Sequence, residues 1–341
     1  MWYSVPSWGV GLHFLGGCMK RRSFLRLATS TVSFPLATRI TWAQAYPSRP
    51  VRIVIGFPPA GATDIVARIV ARWLSEQLGQ PVIVENKPGA GTNIAAQTVV
   101  NSQADGYTLL VAGTSNAVNA SFYETLPFNF QRDIAPVAGL VSYPLVMMVN
   151  PSVPVKTVTD FISLANAQPG KISMASYGIG TSSHLAGELF KAMTGVELIH
   201  VPYRGESLAL TDMIGGQVQM MFSTLPGSME HIKAGTLRPL GVTSAMRWEG
   251  LPDIPTVGES VPGYEAIVWN CLGVPRNTSP QIIERLYRET NAALSDPTVT
   301  ARFSQLGLTP MPLGPTALGT FIANETDKWG KVVKFAGIKA D

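Results

Sequence analysis

From Pro50 onward the chain alternates short apolar runs with stretches of helical periodicity, separated by Gly, Pro or Asn. Residues 51–57 form a β-branched run. Residues 64–78 place Ile65, Ile69 and Trp73 at helical spacing and stop at Gly79. Residues 81–85 predict a second strand, 92–100 a second helix and 107–112 a third strand. Such a strand–helix–strand rhythm predicts a parallel sheet with helices on both faces. The pattern breaks over 115–132, where Asn, Pro and aromatic residues predict a loop containing a short helix. Residues 137–149 then read as one extended run ending at Asn150-Pro151, a crossover between two domains.

A second α/β set follows. Helices are expected over 158–167, 182–193, 208–214 and 228–234, with strands over 172–176, 198–201, 218–223 and 240–243. Residues 266–274 predict a return crossover strand, and 280–294, 298–306 and 315–335 a helical C-terminal third. The predicted class is α/β, with two α/β lobes. Lobe 1 is expected to comprise 46–147 and 268–341, and lobe 2 to comprise 148–267. Two crossovers make a hinge, and a hinge over a cleft suits ligand capture by closure.

Charge changes the picture at one end only. The 341 residues hold 26 Lys and Arg against 22 Asp and Glu, a net charge of +4 that invites a nucleic-acid or membrane-surface reading. Five of the basic residues (Lys20, Arg21, Arg22, Arg26 and Arg39) lie within 1–45, which has no acidic residue. Without them the remainder is near neutral, so a polyanion-binding stripe has no support. Recurrent apolar segments exclude collagen-like and disordered classes.

The stretch Lys20-Arg21-Arg22-Ser23-Phe24-Leu25-Arg26 resembles a twin-arginine export signal. An apolar run over 27–42 follows, interrupted by Arg39, and Ala43-Gln44-Ala45 supplies a small-x-small cleavage pattern. Residues 1–45 are therefore expected to be a leader cleaved near Ala45, giving a soluble periplasmic protein that begins near Tyr46. Met19 is the expected start of that leader. Leu15-Gly16-Gly17-Cys18 offers a rival lipobox, although no Lys or Arg precedes it. No later segment reaches the ~18–20 uninterrupted apolar residues of a membrane span. Cys271 is then the one cysteine of the mature chain, which excludes an intramolecular disulfide and fits a small core residue.

Three loops at strand ends carry candidate chemistry, because ligands of parallel α/β sheets bind outside the carboxyl ends of the strands. In the first, Pro58, Ala60 and Gly61 precede Thr63 and Asp64, which can cap the next helix while its free amides face an anion. A capped turn with no ligand fits the same residues. In the second, Pro88-Gly89-Ala90-Gly91-Thr92-Asn93 partly resembles a dinucleotide fingerprint, but the third glycine is missing and no acidic residue ends the next strand. An anion-binding or close-packing turn, with Asn93, fits better. Ser115 and Asn116 follow the third strand. In the second lobe, Gly178-Ile179-Gly180-Thr181-Ser182-Ser183-His184 forms a strand-to-helix turn without a Gly-Lys-Ser/Thr phosphate signature or a Gly-x-Ser-x-Gly elbow. His184 reads more readily as a structural histidine than as a base. Tyr203 can wall a pocket and Arg204 can neutralise a carboxylate or pair with a surface acid. The histidines His184, His200 and His231 show no metal-ligand spacing. Neither cofactor, metal nor catalysis is expected. The rival reading, an isomerase or hydrolase working through His184, lacks any supporting motif.

These motifs in this order resemble the Bug family, the extracytoplasmic solute receptors of tripartite tricarboxylate transporters. The likeness runs from Tyr46-Pro47-Ser48-Arg49-Pro50 through the 58–64 loop, Asn86-Lys87-Pro88-Gly89-Ala90-Gly91, Gly178-Ile179-Gly180-Thr181 with His184, and Pro202-Tyr203-Arg204-Gly205. It continues to Leu251-Pro252-Asp253-Ile254-Pro255-Thr256 and Glu259. The resemblance implies a periplasmic-binding-protein type II-like fold with an interlobe ligand cleft. It implies a small organic acid held through backbone amides and ordered water near residues 58–63 and 180–182. It also implies presentation to membrane permease subunits, or alternatively to a sensor. Neutral lobes without a heptad repeat suggest a monomer, and no nucleic-acid partner is expected.

Overall fold

The computed structural model describes residues 46–123, 125–335 and 337, with isolated positions among the first eleven. The twin-arginine segment, Met19, Cys18 and the cleavage pattern at 43–45 lie outside the described residues. Along the chain run β1 (Val51–Ile55), α1 (Ala62–Leu78), β2 (Val82–Asn86), α2 (Asn93–Val100), β3 (Thr108–Gly113), α3 (Thr114–Phe122), α4 (Phe130–Asp133) and β4 (Ile134–Val149). Then come α5 (Val158–Ala167), β5 (Ile172–Ser176), α6 (Ser182–Thr194), β6 (Leu198–Pro202), α7 (Glu206–Ile214), β7 (Met220–Thr224), α8 (Leu225–Lys233) and β8 (Arg238–Val242). The last third holds α9 (Val257–Ser260), β9 (Ile267–Pro275), α10 (Pro280–Ser295), α11 (Pro297–Gln305), β10 (Thr309–Pro310) and α12 (Pro315–Phe335).

The first lobe is built on the parallel order β2-β1-β3. The second is built on β7-β5-β6, also parallel. The fully parallel sheet expected from the strand–helix rhythm is not what joins them. β9 runs antiparallel to β3, and β4 runs antiparallel to β9, β7 and β8. A chain that leaves a lobe and returns must reverse direction, and periodicity read within each lobe does not register that reversal.

β4 belongs to both lobes. Ile134–Pro144 pairs with β9, and Leu145–Val149 pairs with β7, so the strand exchanges partners between Pro144 and Leu145. The return is equally abrupt. Ala266 N–H donates to the Thr243 carbonyl, and the next residue, Ile267, opens β9 opposite Pro144. Both crossovers are buried: Leu145 and Thr243 are inaccessible to solvent and Ala266 nearly so.

Two differences from the sequence pattern matter for the site. Within 115–132, where the pattern predicts a loop with one short helix, two helices stand, α3 up to Phe122 and α4 from Phe130, joined by a non-helical stretch. Val118 and Phe122, one turn apart, bury on the core side of α3. Its asparagines reach the preceding turn: Asn116 Nδ2 donates to Thr92 Oγ1 at 3.0 Å, and Asn119 Nδ2 donates to the Gly91 carbonyl at 2.7 Å. In addition, α7 begins at Glu206 and α8 at Leu225, earlier than their apolar spacing suggests. α12 is tied to β9 by one carboxylate, since Glu325 Oε2 accepts from Trp269 Nε1 at 3.0 Å and Trp329 Nε1 at 3.1 Å. Among the described residues no helix is long and apolar enough to cross a membrane.

Candidate functional site

A cavity of about 180 Å³ lies where the lobes meet. That is far beyond the ~10–15 Å³ one buried water needs. Phe57–Pro59, Gly61–Thr63, Thr92 and Val111–Asn116 line it from the first lobe, and Tyr177, Ser182, Arg204–Leu208 and Thr224 from the second. Tyr143, Val268, Trp269 and Asn270, from the two crossover strands, complete it. A change in lobe angle therefore changes the cavity directly.

Five helices of eight or more residues begin on this wall with no side-chain bond from the capping residue. They are α1 after Gly61, α2 after Thr92, α3 after Gly113, α6 after Thr181 and α7 after Gly205, while Thr224 caps α8. Helices away from the cavity are capped: Thr157 caps α5, Ser279 caps α10 and Asp296 caps α11. A helix start leaves N–H groups unpaired and carries partial positive charge. Leaving those starts bare against a cavity makes it attractive to anions.

The polar side chains are pre-oriented. Tyr177 and Ser182 share a hydrogen bond of 2.7 Å between their hydroxyls. Tyr143 is buried with Thr63 beside its hydroxyl, and burial and then the Glu206 charge push its pKa far up, so it stays a neutral donor. Asn116 Oδ1 accepts from Gly113 N–H at 3.0 Å, which holds the start of α3. Arg204 is exposed at the rim and supplies a positive charge there.

Of the residues singled out from sequence, Pro58, Gly61, Thr63, Ser115, Asn116, Ser182 and Arg204 line the cavity. The others do not, and each has a visible structural task. Asp64 does not cap α1. Its carboxylate accepts from Ala60 N–H at 3.0 Å, Arg68 Nε at 2.9 Å and Asn86 Nδ2 at 2.9 Å, holding the loop against β2. Burial pushes its pKa up, but these donors outweigh burial and hold it below the usual value. Ala60 takes a left-handed φ of 68° in that loop. Asn93 Oδ1 accepts from Asn119 Nδ2 at 2.8 Å. Thr181 Oγ1 donates to the Gly178 carbonyl at 2.6 Å instead of reaching the cavity. Gly180 donates its N–H to His184 Nδ1 at 3.2 Å, and a Cβ there would stand 3.2 Å from both Asn119 Oδ1 and Phe122, so it marks a close approach between the lobes. His184 stacks on His200 with ring centroids 4.0 Å apart, and burial, with the His200 and Lys191 charges, pushes its pKa down to about 3. Tyr203 donates to Asp212 Oδ2 at 2.8 Å, and burial and that bond push its pKa up to about 12.

Sequence reasoning missed Tyr143, Tyr177, Glu206, Thr224, Trp269 and Asn270 as cavity residues. Asn270 left a signal, being a polar residue inside the apolar run 266–274, and Glu206 left another as an acid directly after a strand-end glycine.

Comparison with known proteins agrees with this architecture. Residues 66–338 match the model of the tripartite tricarboxylate transporter family receptor. The chain belongs to that receptor family. It is similar to Protein BugT of Bordetella pertussis, 36% identical over 316 residues, covering 92% of this chain and 95% of BugT. Among solved structures, the R. palustris protein Rpa4515 with adipate is 36% identical with a TM-score of 0.84, covering 86% of this chain and 99% of that one. MatC from Rhodopseudomonas palustris, with bound malate, is 29% identical with a TM-score of 0.81, covering 84% of this chain and 100% of that one. The family's two-lobed, type II-like binding-protein fold is the fold of this chain.

Proposed function

We propose that this receptor-family chain is an exported solute-binding protein that captures a small carboxylated organic acid between its lobes and presents it to permease subunits of a tripartite tricarboxylate-type transporter. The observation that carries the reading is the cavity onto which five uncapped helix starts converge. The acids in the neighbouring structures, adipate and malate, support the same ligand class. Amides at the starts of α1, α3 and α6 hold a carboxylate, the Thr63, Ser115 and Ser182 hydroxyls add donors, and lobe closure excludes water, strengthening every such bond.

On this reading the leader is removed near Ala45 and the mature chain works as a periplasmic monomer without catalysis. The lobes divide at the two crossovers, close to Pro144 and Ala266, where the strand partners change. Loss of two hydroxyls that contact a bound anion costs roughly tenfold each in affinity. Isothermal titration of the mature protein against dicarboxylates, tricarboxylates and amino acids tests this. A ligand whose affinity falls about tenfold in both Ser182→Ala and Thr63→Val supports the assignment. Unchanged affinity in both variants refutes the site, and no binding by any acid refutes the ligand class.

A further inference from the structure

The cavity contains one group that a receptor for anions alone does not need. Glu206, at the first position of α7, is 8% exposed and forms part of the cavity wall. Its Oε1 accepts from Ser223 Oγ at 2.7 Å and from Thr224 N–H at 2.6 Å, and its Oε2 accepts from Thr224 Oγ1 at 2.8 Å. The backbone amide can only donate. Thr224 Oγ1 already accepts from Gly227 N–H at 3.2 Å, which leaves its proton for Glu206. This is a bed built for a carboxylate, since hydrogen bonds to the charged form favour it. The fit is close: a Cβ on Gly227 would stand 2.6 Å from the carboxyl carbon.

Among the described residues no cation pairs with this carboxylate. Burial pushes its pKa up by more than the Ser223 and Thr224 bonds hold it down. The phenols nearest it electrostatically, Tyr143 and Tyr177, are buried and uncharged, so neither compensates its charge. Oε2 accepts one hydrogen bond only, from Thr224 Oγ1, and so keeps an unused acceptor position. A buried charge of this kind is stabilised by a partner of opposite sign, and a second carboxylate in the same cavity is repelled by it.

We infer that Glu206 is the counter-group for the ligand, which carries an ammonium besides its carboxylate: the acid end sits on the uncapped helix starts and the amino end on Glu206. The inference rests on the carboxylate reading above and narrows it from organic acids in general to amino acids in the broad sense.

The test uses pairs of ligands of equal length that differ only in one end group. Succinate is compared with β-alanine, glutarate with 4-aminobutyrate, and adipate with 5-aminopentanoate, by isothermal titration on the mature protein and its Glu206→Gln variant. Glutamine keeps the shape and can satisfy Ser223 and Thr224, and the melting temperature without ligand checks that the variant folds. At least one amino acid binding ten times tighter than its dicarboxylate partner, with that preference lost in Glu206→Gln, supports the inference. Dicarboxylates that bind as tightly as their partners across all pairs overturn it, whether or not the variant folds, and leave the carboxylate reading standing. An amino-acid preference that persists in the folded variant overturns the role of Glu206. Failure of both series to bind overturns the carboxylate reading together with this inference.

Discussion

The Thr243 hydroxyl accepts from the Leu145 amide at 2.7 Å and donates to the Ala266 carbonyl at 2.6 Å, so one buried side chain joins the outgoing and returning crossovers. Thr243→Val keeps the shape and strands both backbone groups. Leaving buried polar groups unpaired costs about 1–3 kcal/mol. Urea denaturation is expected to show that loss for Thr243→Val and a much smaller one for Thr243→Ser. Equal stability of Val and Ser variants would mean that the hydroxyl does not bind the hinge together.

The lobes also meet at Gly205, where a Cβ would stand 2.9 Å from Pro58 Cγ. Gly205→Ala crowds Pro58 by a fraction of an ångström and puts a side chain at a φ of 157°, and overpacking and backbone strain of this kind cost about 1–3 kcal/mol. Ligand affinity is expected to fall roughly tenfold. Small-angle scattering of the ligand-saturated variant should show a larger radius of gyration than wild type. Wild-type affinity would show that the contact is not part of the bound state.

His184 makes stability depend on pH in a definite direction. Its Nδ1 accepts from Gly180 N–H, so the neutral ring is the form the fold requires, and its pKa lies at about 3 against 6.5 for the free group. The unfolded chain thus takes up the proton first. The stability is fully present above pH 6.5 and is lost as pH falls toward 3, by ~1.4 kcal/mol per pH unit. Between pH 6.5 and 5 wild type should lose ~2 kcal/mol more than His184→Gln in chemical denaturation. Parallel pH profiles for the two proteins would contradict the neutral assignment.

Cys271 is buried in β9, and burial pushes its thiol up to about 12. The thiolate is the reactive form, so a thiol this basic and enclosed is inert at neutral pH. In full-length Cys18→Ser protein, an aromatic disulfide reagent should label Cys271 only after denaturant is added. Rapid labelling of the native protein would place the residue at an opening surface.

Local order was written plainly in the sequence. α5 runs over the residues that periodicity assigns, because Thr157 and Asp160 form a reciprocal cap at its start. The β1–α1–β2–α2–β3 series was legible because each apolar face repeats within a few residues. The pattern predicts a short helix near α3, but its full extent was hidden because the partners of its asparagines, Thr92 and Gly91, lie 24 and 28 residues away. The same distance hid the site. Glu206, at the start of α7, is held at the cavity by Ser223 and Thr224, 17 and 18 residues later on β7. Of the glycine loops at residues 58–63 and 178–182, the first and Ser182 of the second reach the cavity wall, while His184, the most chemically suggestive residue nearby, is held by Gly180 and His200 and does not line it.

The sixteen residues of β4 serve as an interior strand in both halves at once, paired with β9 and β10 in one and with β7 and β8 in the other. Neither half of the molecule can therefore be excised and kept intact. A fragment that retains the first sheet carries a dangling strand end, and one that lacks β4 exposes a raw sheet margin open to aggregation. Opening and closing must be accommodated by twist within a continuous ribbon, not by a slack linker. Transplanting a single lobe between relatives would require the graft to be made in the middle of a strand.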